Sequence, residues 1–410
     1  MTLYVGIDVG TSGVRCAAVD QDGAVAGTAR VDGGPVPSGD GVDAALWWER
    51  TADALSSLGR EVPMGEVAAI SSGGTSGSMV VLDAEGRVAG PGYMYDSDGF
   101  DEEARALGVS PASAPARALH AVRSAGDRGA YLAHQADLIL HRLGAPPGMS
   151  DENNALKTGY DPEARAWPEA LRAHPELGPV LPRVVPVAAP LGHAGEEGRA
   201  LGLPAACRVH AGTTDSIAAF MATGAAAAGD AVTSLGTTLA IKLVSPTRIE
   251  DPPRGVYSHR LGDLWLAGGA SNVGGGVLAR LFGAEALQAL SARIDAASPS
   301  PLDYYPLNRT GERFPVADPE MVPRLEPRPE DDADYLHGLL ESIARVEAAG
   351  YAALADLGAP APRAVVTVGG GARSAVWTAI RARVLGLPVT AAGEVEGSVG
   401  LARWLARGAA

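Results

Sequence analysis

Short apolar runs broken by glycine and hydroxyl residues dominate the start of the chain. β-rich segments at 3–8 and 14–19 flank Gly10-Thr11-Ser12-Gly13, which predicts a hairpin whose glycines permit positive φ and close approach of a ligand. A third strand over 24–31 follows an Asp22-Gly23 turn. Ala44, Leu46, Trp47, Ala54, Leu55 and Leu58 then recur at helical spacing, so a helix over 43–58 crosses to a strand at 67–70 and makes the sheet mixed. A strand at 79–82 and a turn at 83–86 precede a stretch that reads as helices joined by loops.

The second half repeats the opening. Residues 231–241 are again strand, Gly236-Thr237-Thr238 turn and strand, which suggests a duplicated fold with two domains facing across a cleft and one phosphate-contacting hairpin on each. Between them Gly212-Thr213-Thr214-Asp215 opens a helix with Ile217, Phe220, Met221 and Gly224 on one face, and a hinge is expected after it. A buried strand at 365–368 leads into Gly369-Gly370-Gly371-Ala372-Arg373-Ser374 and a helix through Val376, Ile380, Val384 and Leu385. Strand, glycines and helix together suit a nucleotide site, and they equally suit a close helix–strand connection. A tail helix over 398–406 is expected to return to the first domain. The expected division is 1–222 with 396–410, and 223–395.

Composition narrows the partners. The 410 residues are 46% hydrophobic, enough for two cores, and the net charge of −15 opposes nucleic acid or an anionic membrane, which need clustered Lys and Arg. Cys16 and Cys207 are the only cysteines, so no disulfide framework or cysteine-rich metal site is available. The chain starts in a strand with no basic and apolar leader and holds no run of about 18 apolar residues, which points to a cytoplasmic protein.

Thr11 and Ser12 hydroxyls and free N–H groups could hold phosphate, with Asp8 at the strand end placed to hold a metal ion through water, or the turn could be only a strand connection. Asp215 is the candidate general base, or else an ordinary first-turn carboxylate favoured by the helix dipole. Lys157 is one of two lysines in an Arg-rich chain. The histidines lack zinc-site spacing, His210 reads as a strand residue, Trp47-Trp48 as packing and the acidic run 330–334 as a solvated helix start.

Gly6-Ile7-Asp8-Val9-Gly10-Thr11-Ser12, Gly212-Thr213-Thr214-Asp215, Gly236-Thr237-Thr238 and Gly369-Gly370-Gly371-Ala372-Arg373 occur in the order of the FGGY carbohydrate kinases, which the chain resembles over nearly its whole length. That resemblance implies an α/β protein of two ribonuclease H-like, actin-like ATPase domains with mixed sheets flanked by helices, using ATP and magnesium to phosphorylate a sugar or polyol. Residues 151–161, with Gly74-Thr75-Ser76 and 95–98, look like the compact plant and cyanobacterial xylulose kinase-like branch, whose implied substrate is D-ribulose. The chain departs from xylulokinases proper, which carry a Met-His pair where this sequence has Ser71-Ser72-Gly73-Gly74-Thr75-Ser76. It departs from its own branch at Gly73 and at Asp96-Ser97-Asp98.

Carried onto this sequence, the resemblance places Gly10, Thr11 and Ser12 on one side of the transferring phosphate and Gly236, Thr237 and Thr238 on the other. Gly369, Gly370, Gly371 and Ala372 fall near the adenosine. Asp8 holds magnesium, Asp215 acts as the base, and Thr75, Ser76, Asp96, Asp98 and Lys157 join Asp8 and Asp215 around the sugar. The implied partners are a small sugar and ATP, in a monomer or homodimer. A D-xylulose or polyol kinase and a non-catalytic actin-like nucleotide switch are the alternatives.

Overall fold

Leu3–Gly10 (β1) and Gly13–Asp20 (β2) form an antiparallel hairpin that closes with Gly10 opposite Gly13, and Val25–Asp32 (β3) extends it. Of the two glycines, only Gly13 has positive φ, at 139°, where an added Cβ would lie 2.2 Å from the Val31 carbonyl oxygen. The close approach is to the third strand. Helix Ala45–Leu58 (α1) then crosses to Val67–Gly74 (β4), which lies parallel to β1. This strand is longer than the expected 67–70, because Ser71 through Gly74 keep pairing with Gly6 through Val9 despite the poor strand propensity of glycine.

The computed structural model describes residues 1–409 and separates into two units, Met1–Gly224 with the segment from Glu394 onward, and Ala225–Gly393. In the first unit Met79–Leu82 (β5) and Tyr131–His134 (β6) pair with each other outside this sheet, which continues through Pro190–His193 (β7) and Arg208–His210 (β8). Its order is β7–β8–β4–β1–β2–β3, and Thr213–Thr214 (β9) adds to the end of β4.

The period of two along β1 assigns its faces. Leu3, Val5, Ile7 and Val9 join a core with Trp47, Leu55 and Leu58 of α1. Tyr4 faces the other side, with Val399, Ala402 and Leu405 of the last helix, Gly397–Ala409. Gly6 shares that face, and a Cβ there would stand 2.0 Å from the Ser398 carbonyl oxygen. Asp8, next in the same alternation, therefore points toward the start of the last helix.

The second unit repeats the sheet. Asp230–Leu235 (β10) and Leu239–Ser245 (β11) form its hairpin, Tyr257–Leu261 (β12) and Leu264–Ser271 (β13) follow, and Ala364–Val368 (β14) and Val389–Ala391 (β15) lie parallel beyond β10. In the order β12–β13–β11–β10–β14–β15 the five strands from β13 to β15 match β3–β2–β1–β4–β8 of the first unit: three antiparallel, then two parallel. This is the ribonuclease H-like sheet that the resemblance implies, present twice. The long helix Asp332–Asp356 covers it, and the buried Glu347 on that helix binds Arg381 of helix Ala375–Leu385 through two contacts of 2.6 Å. Thr233 of β10 and Thr367 of β14 complete the hydrogen bonding of the pair, so neither charge is stranded in the core.

Candidate active site

Two carboxylates meet in the first unit. Thr213 and Thr214 pair with Gly73 and Gly74, and Gly73 in turn pairs with Asp8, so Asp8, Gly73 and Thr213 lie in line across three strands. The chain then enters helix Asp215–Ala222. Asp215 accepts a hydrogen bond from the Ser216 N–H at 2.6 Å. Asp8 Oδ1 is buried and has no hydrogen-bond partner among the described residues. Burial, foremost, then the charge of Asp215 and that of Glu396, push the Asp8 carboxyl up to about 6 against the opposing pull of Arg15. Arg15 sits opposite Asp8 in the hairpin, 3.3 Å from Glu396 and 3.3 Å from Ser12 Oγ.

Gly397 opens the last helix against Asp8, where a Cβ would be 3.1 Å from the carboxylate. The donor set suits a hard divalent cation. Such an ion takes one or two carboxylates and completes its shell with phosphate and water, and an orphaned buried oxygen beside a second carboxylate offers that partial shell. Among the described residues no group of three or more His, Cys, Asp and Glu could hold a metal unaided.

The segments after β4 and β9 leave the sheet side by side, so Thr75 emerges beside Asp215. Thr75 is buried and already engaged: its N–H and hydroxyl both donate to Gln135 Oε1 at 2.8 Å, and Ser78 Oγ lies 2.6 Å from its hydroxyl. It shapes the loop, with its side chain engaged by Gln135 and Ser78. Ser76 is different, because its hydroxyl is buried without a partner among the described residues. Asp96 and Asp98 are exposed on the loop after Tyr95. Lys157 ends the short helix Glu152–Lys157 and is half-buried.

Several residues of this site were not singled out from sequence. Arg117, Ser78 and Gln135 hold the two loops together. Asp151 caps the 152–157 helix through the Asn153 and Asn154 N–H groups, and burial, then Asp137, pushes its carboxyl up to about 7. From that helix Asn153 Nδ2 donates to Thr213 Oγ1 at 3.0 Å and so braces the turn that carries Asp215. The Asp-x-Asn-Asn capping pattern at 151–154 was a readable signal. Arg117 gave none.

The second unit holds a separate cavity of about 440 Å³ lined by Gly236, Thr237, Gly275, Gly276, Gly370, Gly371 and Arg373 along one part and by Leu287, Leu336, Leu340 and Trp377 along another. Polar backbone and hydroxyl groups beside an apolar slot suit a phosphate chain and a base. Three expected residues lie outside the lining. Gly369 has φ of 86°, and a Cβ on it would press on the Leu235 carbonyl oxygen at 2.8 Å, so its task is the turn. The Ala372 N–H closes the same turn onto Gly369 O, and Thr238 serves the hairpin by accepting from the Gly236 N–H. The missed members are Gly275 and Gly276 at the start of helix Gly275–Leu281, whose N–H groups donate to Gly236 O and Thr237 O. Strand, glycines and helix recur there as they do at 369, and that signal was available.

Two ribonuclease H-like units, one bearing a carboxylate pair and the other a nucleotide-sized cavity, define a phosphotransferase of the actin-like ATPase class. The C-terminal domain of the FGGY family of carbohydrate kinases matches residues 231–406. Xylulose kinase of Escherichia coli K12 is 27% identical over 98% of this chain and 89% of its own length. The structure of xylulose kinase from Rhodospirillum rubrum covers 100% of this chain and 90% of its own at 25% identity, with a TM-score of 0.84. A Brucella ovis protein named as a xyloylose kinase gives a TM-score of 0.85 at 23% identity over 100% of this chain and 91% of its own, which bears on the fold alone. The chain belongs to the FGGY family of carbohydrate kinases, and it is a sugar kinase.

Proposed function

We propose that the enzyme transfers the γ-phosphoryl group of ATP to the terminal hydroxyl of a ketopentose, with Asp215 as general base. The observation that carries this reading is the pairing of Asp215, at a helix start, with Asp8, whose buried Oδ1 has no partner among the described residues and whose carboxyl is pushed up by burial and by Asp215 itself. A sugar hydroxyl is a weak nucleophile, so Asp215 takes its proton as the oxygen bonds to phosphorus and the bridging oxygen leaves with ADP. The backbone donors of Gly10, Thr11 and Ser12 and the Thr11 and Ser12 hydroxyls face the phosphate in this reading. Gly236, Thr237, Gly370 and Gly371 take the nucleotide in the cavity of the second unit. Asp8 would hold magnesium, which when bound would supply charge neutralisation to the transferring group.

Two sugars fit. Residues 151–161 resemble the branch whose implied substrate is D-ribulose, whereas the relatives carry the name xylulose kinase. The two sugars are epimers, so a panel containing both, with other ketopentoses and polyols, separates them by kcat/KM. Sugar-dependent ADP release is expected with one of the pair; release indifferent to every sugar would sink the proposal. Asp215→Asn is expected to lower kcat by about 10² to 10⁴ while nucleotide affinity holds.

A further inference from the structure

We propose that Arg117 is a positioning residue that sets sugar selectivity by fixing the loop 95–98 against the loop 75–78. Arg117 lies on helix Ala114–Ala125, whose apolar side packs Leu119 and Val122 against Met79, Val81 and Tyr93. The side chain is only 2% exposed. Its Nη1 donates to Gly77 O at 2.9 Å, and its Nη2 donates to Tyr95 O and Ser97 O at 2.8 Å and to Ala112 O at 3.2 Å. One guanidinium thus collects carbonyls from both loops, a task for its planar fork that a lysine ammonium cannot reproduce.

The consequence is geometric. The carbonyls of Tyr95 and Ser97 turn inward to Arg117 while the intervening and following acids, Asp96 and Asp98, stand exposed. Burial works against the charge of the guanidinium, and Asp96 and Asp98 partly offset it. Ser78 closes the clamp from the opposite side, accepting from the Tyr95 N–H at 2.9 Å and reaching Thr75 at 2.6 Å. Moving the carbonyls by a fraction of an ångström would re-aim both carboxylates and the neighbouring Ser76 hydroxyl. A sugar hydroxyl whose partner is displaced is left unmatched, and matches of this kind tell epimers apart.

The inference rests on the sugar-kinase reading of these loops. Steady-state kinetics on the intact enzyme would compare wild type, Arg117→Lys and Ser78→Ala with D-ribulose, D-xylulose and ATP varied in turn. The expected result is a rise of about tenfold or more in sugar KM and an altered ratio of kcat/KM for the two epimers, with KM for ATP within about twofold. A parallel shift of sugar and ATP KM, or no shift in either, would overturn the proposal. Ser78→Ala keeps the test open if Arg117→Lys does not fold, because it loosens the same clamp through one hydroxyl. Amide hydrogen exchange of residues 95–98 separates the two claims: faster exchange in Ser78→Ala supports the clamp, and unchanged exchange overturns it, whatever sugar the wild type accepts. Absence of sugar-dependent ADP release in wild type would instead count against the function proposed above.

Discussion

An ionised Asp8 is costly to this fold. Its carboxyl binds a proton more tightly folded than unfolded, rising from 3.8 to about 6 because of burial first and of Asp215 next. The associated stability is therefore fully present below about pH 4 and is lost as pH rises through about 6. Asp8→Asn removes the charge. Without ligands, the variant is expected to melt like wild type near pH 4 and to exceed it by up to about 3 kcal/mol above pH 7, read from thermal melts across that range. Activity is expected to fall in the same variant, as is usual where a destabilising charge serves the site. An equal stability difference at both pH values would refute the account. Asp8 itself was legible in the sequence because it ends an alternating strand at a glycine turn. Its proton affinity was not, because that depends on burial first and then on Asp215 and Glu396, which are remote in the chain.

The elements followed from periodicity where the pattern was strong. The hairpins, α1 and the strand, glycine and helix run at 364–385 all form as the hydrophobic spacing predicts. The extension of β4 through Gly74 and the bridge at Thr213–Thr214 were not visible, since pairing partners rather than propensity hold them. Glycine matters most where elements cross. A Cβ at Gly400 would lie 2.1 Å from the Ala218 carbonyl oxygen, and one at Gly6 would lie 2.0 Å from Ser398 O, so the last helix sits directly on β1 and on helix Asp215–Ala222. Gly6→Val is expected to lower the unfolding midpoint by the equivalent of about 3 kcal/mol or more and to reduce activity, because the displaced helix carries Gly397 away from Asp8. Denaturant unfolding and turnover measured on one preparation check both effects.

Across the whole molecule the chain builds one sheet plan twice. The nucleotide reading of the second unit predicts that Ser291→Phe, which intrudes on the 440 Å³ cavity beside Leu287, raises KM for ATP by about tenfold while sugar KM holds. A shift confined to the sugar would reassign the cavity. The first unit depends on the end of the chain, since Val399, Ala402, Leu405 and Ala406 are buried against Tyr4, Ala17, Val19 and Ala69. Deleting the chain from Glu394 onward is expected to cost the first unit on the order of 5 kcal/mol, seen as lost protection of β1 in hydrogen exchange.

The sequence by itself determined the two hairpins, the helix that starts at Asp215 and the glycine turn at 369, because each is written in contiguous residues whose spacing or turn chemistry is local. Only the tertiary structure decided that Thr75 is engaged by Gln135, that Gly369 makes a turn while Gly275 and Gly276 line the cavity, and that Arg117 clamps two loops. Those outcomes depend on which donors and acceptors meet across long sequence separations, and burial then makes each unmatched one expensive.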